Sequence, residues 1–100
     1  MISKKDIQSI DKDYFNIIEA NSFYMVLQSK NTGHFWYILE SVAAGHRTFR
    51  IQHKHHSRDP FHPQTSAPSL PDAYRYIYGH DAFHCERKKL KEAQRRRNCH

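Results

Sequence analysis

The sequence predicts an α+β domain: a three- or four-stranded antiparallel sheet, one or two packed helices near the C-terminus, and a short N-terminal helix. Three observations carry this expectation. Aromatic and branched runs at 23–29 and 34–40 flank a turn sequence. The stretch His46–His56 alternates by two, as a strand with one buried face does. After residue 70 the apolar positions recur at helical spacing instead. One hundred residues suit a single domain, and aromatics make up 13% of them, so the core must draw on Phe, Tyr and the lone Trp36.

Taken in order, Ser3-Lys4-Lys5-Asp6 resembles a capping box with Asp6 in place of the usual Glu, and Ile7 and Ile10 follow at helical spacing. A short helix is expected there, closed by a turn at Asp11-Lys12-Asp13. Residues 14–20 are ambiguous: Tyr14, Ile17 and Ile18 fit a helix, while Phe15, Ile17 and Glu19 fit a strand. The β-branched pair and the short length favour the strand. Phe23–Ser29 and His34–Glu40 form a hairpin around Lys30-Asn31-Thr32-Gly33, where Asn and Gly tolerate positive φ. Val42-Ala43-Ala44-Gly45 turns the chain into the strand His46–His56. Phe49 and Ile51 lie on its core side with Arg47, His53 and His55 in phase, and Arg50, Gln52, Lys54 and His56 lie on the other. Four prolines between Pro60 and Pro71 predict a long loop over 57–71, anchored by Phe61. Ser69 caps a helix with Asp72 at its positive end and Ala73, Tyr74, Ile77 and Tyr78 as its stripe. Gly79 suits the end of that helix, with a further one starting near His80 or Asp81.

The net charge of +6 is unevenly distributed. Residues 86–100 hold seven basic and two acidic side chains, a net +5, so the rest of the chain is nearly neutral. We therefore expect a domain over 1–85 and a basic, helical, frayed tail over 86–100. No apolar run approaches the length of about 20 residues that spans a bilayer. The N-terminus lacks the apolar segment of a signal peptide. Cys85 and Cys99 do not form a disulfide framework. These features predict a cytoplasmic protein without a membrane role.

Several functional readings compete. The basic strand face of Arg50, Gln52, Lys54 and His56, together with Arg87, Lys88, Lys89, Lys91, Arg95, Arg96 and Arg97, would attract DNA phosphates independently of sequence. The element order resembles, as topology alone, the three-strand-plus-helix arm domains of bacterial integrases. The bland alternative is a solvated strand face and a solubilising tail. For a metal, His53 and His55 share a strand face, His80 and His84 stand one helical turn apart with Cys85 adjacent, and His62 lies in the loop. Zinc suits such ligands, although neither CxxC nor HExxH occurs and histidine also serves packing and hydrogen bonding. The pairs His55-His56 and His84-Cys85 faintly resemble an HNH nuclease, but no Asn lies between Asn31 and Asn98 to match that family's central asparagine. His80-Asp81 mimics the HD dyad of much larger helical phosphohydrolases. No GxSxG or Gly-rich phosphate loop is present, so catalysis is not expected. Tyr24, Tyr37, Tyr76 and Tyr78 offer an interface or a homodimer seam if they are not core.

The segments Ser29–Trp36, His53-Lys54-His55, Phe61-His62-Pro63 and Tyr76–Asp81 resemble small uncharacterised proteins of conjugative mobile elements in Gram-positive bacteria. The resemblance spans roughly residues 13–85 and implies a DNA-related or accessory role, with no activity or catalytic residues. The sequence thus favours a nucleic-acid-binding or accessory module of a mobile element. The alternative is a protein-interaction module or homodimer without a nucleic-acid role.

Overall fold

The computed structural model describes residues 1–98, and of 95–98 only the backbone. The elements run α1 (Lys4–Gln8), β1 (Phe15–Ala20), β2 (Tyr24–Ser29), β3 (Phe35–Ala43), β4 (His46–Lys54), β5 (His62–Ala67) and α2 (Leu70–Asn98). The five strands form one antiparallel meander in the order β1-β2-β3-β4-β5. The α+β class holds, with one strand more than the sequence predicts.

Local chemistry explains most boundaries. Ser3 and Asp6 complete both halves of the capping box at α1. Residues 15–20 are strand, which resolves the ambiguity there. Ala44 and Gly45 form a two-residue hairpin loop, both with positive φ (52° and 76°), the twist that matches right-handed strands. Ala44 is a non-glycine in the left-handed region, which costs about 1 kcal/mol. Ser69 accepts a hydrogen bond from the Asp72 backbone N–H, capping α2 as expected.

Three expectations are corrected. The Pro-rich stretch is not wholly loop, because β5 occupies its middle. Pro63 is tolerated there because β5 is an edge strand, and it faces Gln52 where the β4–β5 register shifts. α2 does not end at Gly79 but runs through it as one helix. An interior glycine costs about 1 kcal/mol, and here Ile77 and Asp81, both fully buried, hold the flanking turns against the sheet. Finally, β4 ends at Lys54, so His56 sits in the bend beyond it and not on a strand face.

Alternation then builds the core. Met25 and Leu27 of β2, Trp36 and Ile38 of β3, and Phe49 and Ile51 of β4 are buried beneath Leu70, Ala73 and Ile77 of α2, joined by Phe15, Ile2 and Ile10. The other sheet face carries no helix. Tyr24 and Tyr37 stack there at 5.2 Å, and Lys54 stands over the rings of Phe35 and Phe61. Tyr76 and Tyr78 are half-buried against the core, which accounts for two of the four tyrosines considered as interface. Among the described residues no helix is long and apolar enough to cross a membrane.

Candidate metal centre

The side of α2 that faces the sheet changes character along its length. Leu70, Ala73, Ile77, His80, His84, Arg87 and Lys91 recur at alternating spacings of three and four residues, which puts them on one stripe. The stripe is apolar over the sheet centre and imidazole at its rim. On the sheet, β4 replaces an apolar residue with His53 after Phe49 and Ile51. One step beyond the Phe35–Lys54 pair, His34 enters β3 in phase with Trp36.

His34, His53 and His80 therefore converge. One ring nitrogen from each lies within 4.8 Å of the other two. His53 Nε2 and His34 Nδ1 are hydrogen-bonded to each other at 3.2 Å, one ring N–H donating to the other ring's lone pair. Two imidazoles on one tetrahedral zinc, with bonds of about 2.0–2.1 Å, would hold their nitrogens roughly 3.3 Å apart. His34 and His53 are buried, at 4% and 2% exposure, and His80 is half-buried. Its Nδ1 is buried without a hydrogen-bond partner among the described residues. Trp36 forms an apolar wall, its ring 4.3 Å from that of His53 and edge-on to His80 at 5.2 Å.

Burial disfavours the charged imidazolium, and neighbouring histidines add to the effect. His34 is pushed down to about 4 and His53 to about 3, and His80 is lowered in the same sense, mainly by burial. All three are thus held neutral at physiological pH, the form that coordinates metals.

A second network fixes this geometry. Asp81 is completely buried and forms no ion pair among the described residues. Its Oδ2 accepts hydrogen bonds from the Tyr14 hydroxyl and the Ser29 hydroxyl, both at 2.6 Å, and its Oδ1 accepts one from Thr32 Oγ1 at 3.1 Å. Thr32 Oγ1 in turn accepts the backbone N–H of His34, and Trp36 Nε1 donates to Ser29 Oγ. One carboxylate on α2, next to His80, therefore anchors the β2–β3 turn that presents His34. Burial, reinforced by the bond to Asp81, pushes the Tyr14 phenol well above its ordinary range.

The sequence candidates divide accordingly. His53 and His80 are in the cluster. His55 and His84 flank it, His55 stacked on His34 at 4.1 Å and His84 edge-on to it at 4.5 Å. His62 is farther out, its ring 5.7 Å from that of His53. Cys85 is a partly exposed thiol outside the three-histidine group, one turn beyond Asp81. His34 is the member that sequence spacing misses. The usable signal is register: the two-residue turn at Ala44-Gly45 places Trp36 opposite His53 and Phe35 opposite Lys54, and His34 and His55 are the next residues beyond that pair.

The proposed nucleic-acid residues come from two elements and the bend that holds His56. Arg50, Gln52 and Lys54 share the uncovered sheet face, while Arg87, Lys88, Lys89 and Lys91 lie on the exposed end of α2. The side chains of Arg95, Arg96 and Arg97 lie outside the described residues, as does Cys99. No family model, curated protein or solved structure matches the chain.

Proposed function

We propose that the protein is a metal-binding module whose centre is His34, His53 and His80, with zinc as the ion whose ligand chemistry fits best. The convergence of three mutually close imidazole nitrogens from the β2–β3 turn, β4 and α2 carries this reading. The apolar wall and the low imidazole pKa values support it, since both keep the rings in the neutral form that a metal can take in exchange for their shared proton. Three histidines leave a fourth tetrahedral position, the arrangement of zinc sites that bind an exchangeable ligand. Elemental analysis after zinc reconstitution and desalting tests the reading. One zinc per chain is expected, with affinity falling on the order of 100-fold or more in His53→Ala, because a direct ligand exceeds the 10–100-fold effect of an outer-shell partner. Substoichiometric metal in the wild type, or full retention in a His34→Ala/His53→Ala double variant, would sink it.

A second reading is nucleic-acid contact of the kind an accessory protein of a mobile element makes. It is favoured by the uncovered sheet face, where Lys54 stands over Phe35 and Phe61, Tyr37 lies beside Phe61, and Arg50 follows in the same phase of β4. Aromatic faces with nearby cations suit stacked bases of a single strand. Single-strand binding that survives deletion of residues 86–100, weakens with salt and drops in Tyr37→Ala is the expected result. Binding carried wholly by the deleted segment would remove the sheet face from the account.

A further inference from the structure

Metal binding leaves the uncovered face of the sheet unused, and strand register lays that face out as a grid. Val26 of β2 and Tyr37 of β3 share the middle row with Glu19 of β1 and Gln52 of β4. Tyr24, Leu39 and Arg50 form the row on one side of it, and Gln28, Phe35 and Lys54 the row on the other. A sheet with one face in water normally alternates apolar inside and polar outside. β1 and β4 obey this rule, with Asn16 and Glu19 outward on one and Arg50, Gln52 and Lys54 on the other. β2 and β3 break it. They place Tyr24, Val26, Phe35, Tyr37 and Leu39 outward, each half-buried although no helix covers it. The apolar side chains thus fill two adjacent columns between two polar ones, the core-and-rim anatomy of an interface.

The rim is unequal in charge. Its β1 side carries Glu19, whose Oε1 accepts the Tyr24 hydroxyl at 2.7 Å, and its β4 side carries Arg50 and Lys54. Neither Glu19 nor Arg50 forms an ion pair among the described residues. A second copy, turned about a two-fold axis that runs parallel to the strands between β2 and β3, sets each β1 over the other copy's β4. β2 then faces β3 across the axis, and Glu19 lies over Gln52, between Arg50 and Lys54 of the other copy. An axis perpendicular to the strands would set β1 on β1 and bring Glu19 towards its own equivalent, so charge selects the first arrangement. A nucleic-acid strand fits less well, because Glu19 repels it. Lys54 Nζ already donates to the Ser57 carbonyl at 2.9 Å while standing over Phe35 and Phe61.

We propose that the outer face of β1–β4 packs on the same face of a second copy of this chain, with Val26 and Tyr37 at the centre and Glu19 against Arg50 at the rim. Four columns at about 4.8 Å and three rows at about 6.8 Å make a face of roughly 400 Å² per copy. That is about half of what each partner gives to a standard interface, so the dimer is weak and reversible. The histidine cluster lies on the opposite face of the sheet, and metal uptake and dimerisation are therefore independent.

Sedimentation equilibrium on the full chain, from micromolar to millimolar concentration, tests it. A monomer–dimer equilibrium is expected, weaker at high salt because the rim contacts are charged. Val26→Arg puts a cation beside the axis and should leave a monomer where the wild type is dimeric, with near-UV circular dichroism confirming that the variant is folded. Glu19→Lys should weaken the dimer at least about tenfold by setting like charges together. Adding Arg50→Glu to that variant should recover most of the loss, which a change that only damaged the sheet would not allow.

A wild type that is monomeric throughout overturns the inference. So does a dimer indifferent to Val26→Arg, or a Glu19→Lys defect that Arg50→Glu does not relieve, since either places the contact elsewhere. A chain that stays monomeric and binds a single-stranded oligonucleotide in a Tyr37-dependent way assigns the face to nucleic acid and likewise overturns it.

Discussion

At the scale of single residues, Asp81 is the side chain on which the most geometry depends. A fully buried carboxylate without a cationic partner is tolerated because three hydroxyls donate to it. Those hydroxyls belong to Tyr14, Ser29 and Thr32, so the same contacts tie the start of β1 and the β2–β3 turn to α2. Asp81→Ala orphans the hydroxyl donors of Tyr14, Ser29 and Thr32 in a close-packed region. We expect a loss of about 3 kcal/mol in urea unfolding, at the upper end for an unsatisfied buried group because three donors are affected. Zinc affinity should fall as well, on the order of 10–100-fold, because Thr32 no longer holds the His34 backbone. A variant that unfolds like the wild type would mean that the hydroxyls re-pair locally and that Asp81 does not position the cluster.

At the scale of elements, β2, β3 and β4 were legible because their alternation and turn chemistry agree, and Ser69 marked the start of α2. β5 was hidden because proline reads as loop unless the strand is known to be an edge, and edge position is a property of the whole sheet. The continuity of α2 was hidden because Gly79 carries the local signature of a helix end, and only burial of Ile77 and Asp81 on either side overrides it. The cluster was half legible: His80 and His53 stood out by position, whereas His34 becomes meaningful only once the hairpin register puts it one step beyond the Phe35–Lys54 pair. The outer part of α2 follows a different rule from the inner part. All of residues 86–94 are exposed, so this arm adds charge and little burial. Deletion of residues 86–100 should therefore change unfolding free energy by less than about 0.5 kcal/mol and leave zinc stoichiometry at one. A loss of about 2 kcal/mol or more would show that the arm packs on the body.

At the scale of the whole molecule, the buried histidines couple folding to pH and to metal. In the unfolded chain a histidine titrates near 6.5, whereas His34 and His53 in the folded chain titrate at about 4 and about 3. Above roughly pH 6.5 both states carry these rings neutral, and they add no pH dependence. As pH falls from there through the folded values, the unfolded state binds more protons, so stability drops with falling pH until the folded rings protonate as well. His80, lowered in the same direction, adds to the slope. Carboxylates also take up protons over part of this range, so the slope of the apo protein alone does not isolate the histidines. Zinc does. It binds the neutral rings of the folded state and stabilises that state by mass action, and protons compete with it at the same nitrogens. The increment in Tm on adding zinc should therefore be largest near neutral pH and fall as pH drops through about 4 and about 3, where His34 and His53 take up protons in the folded state, with His80 adding to the fall at its own lowered value. A thermal unfolding series with and without zinc across that range measures it. An increment that is absent at neutral pH, or unchanged once pH has passed below about 3 where His34 and His53 are both charged, would show that the three imidazoles are a packed cluster and not a metal centre.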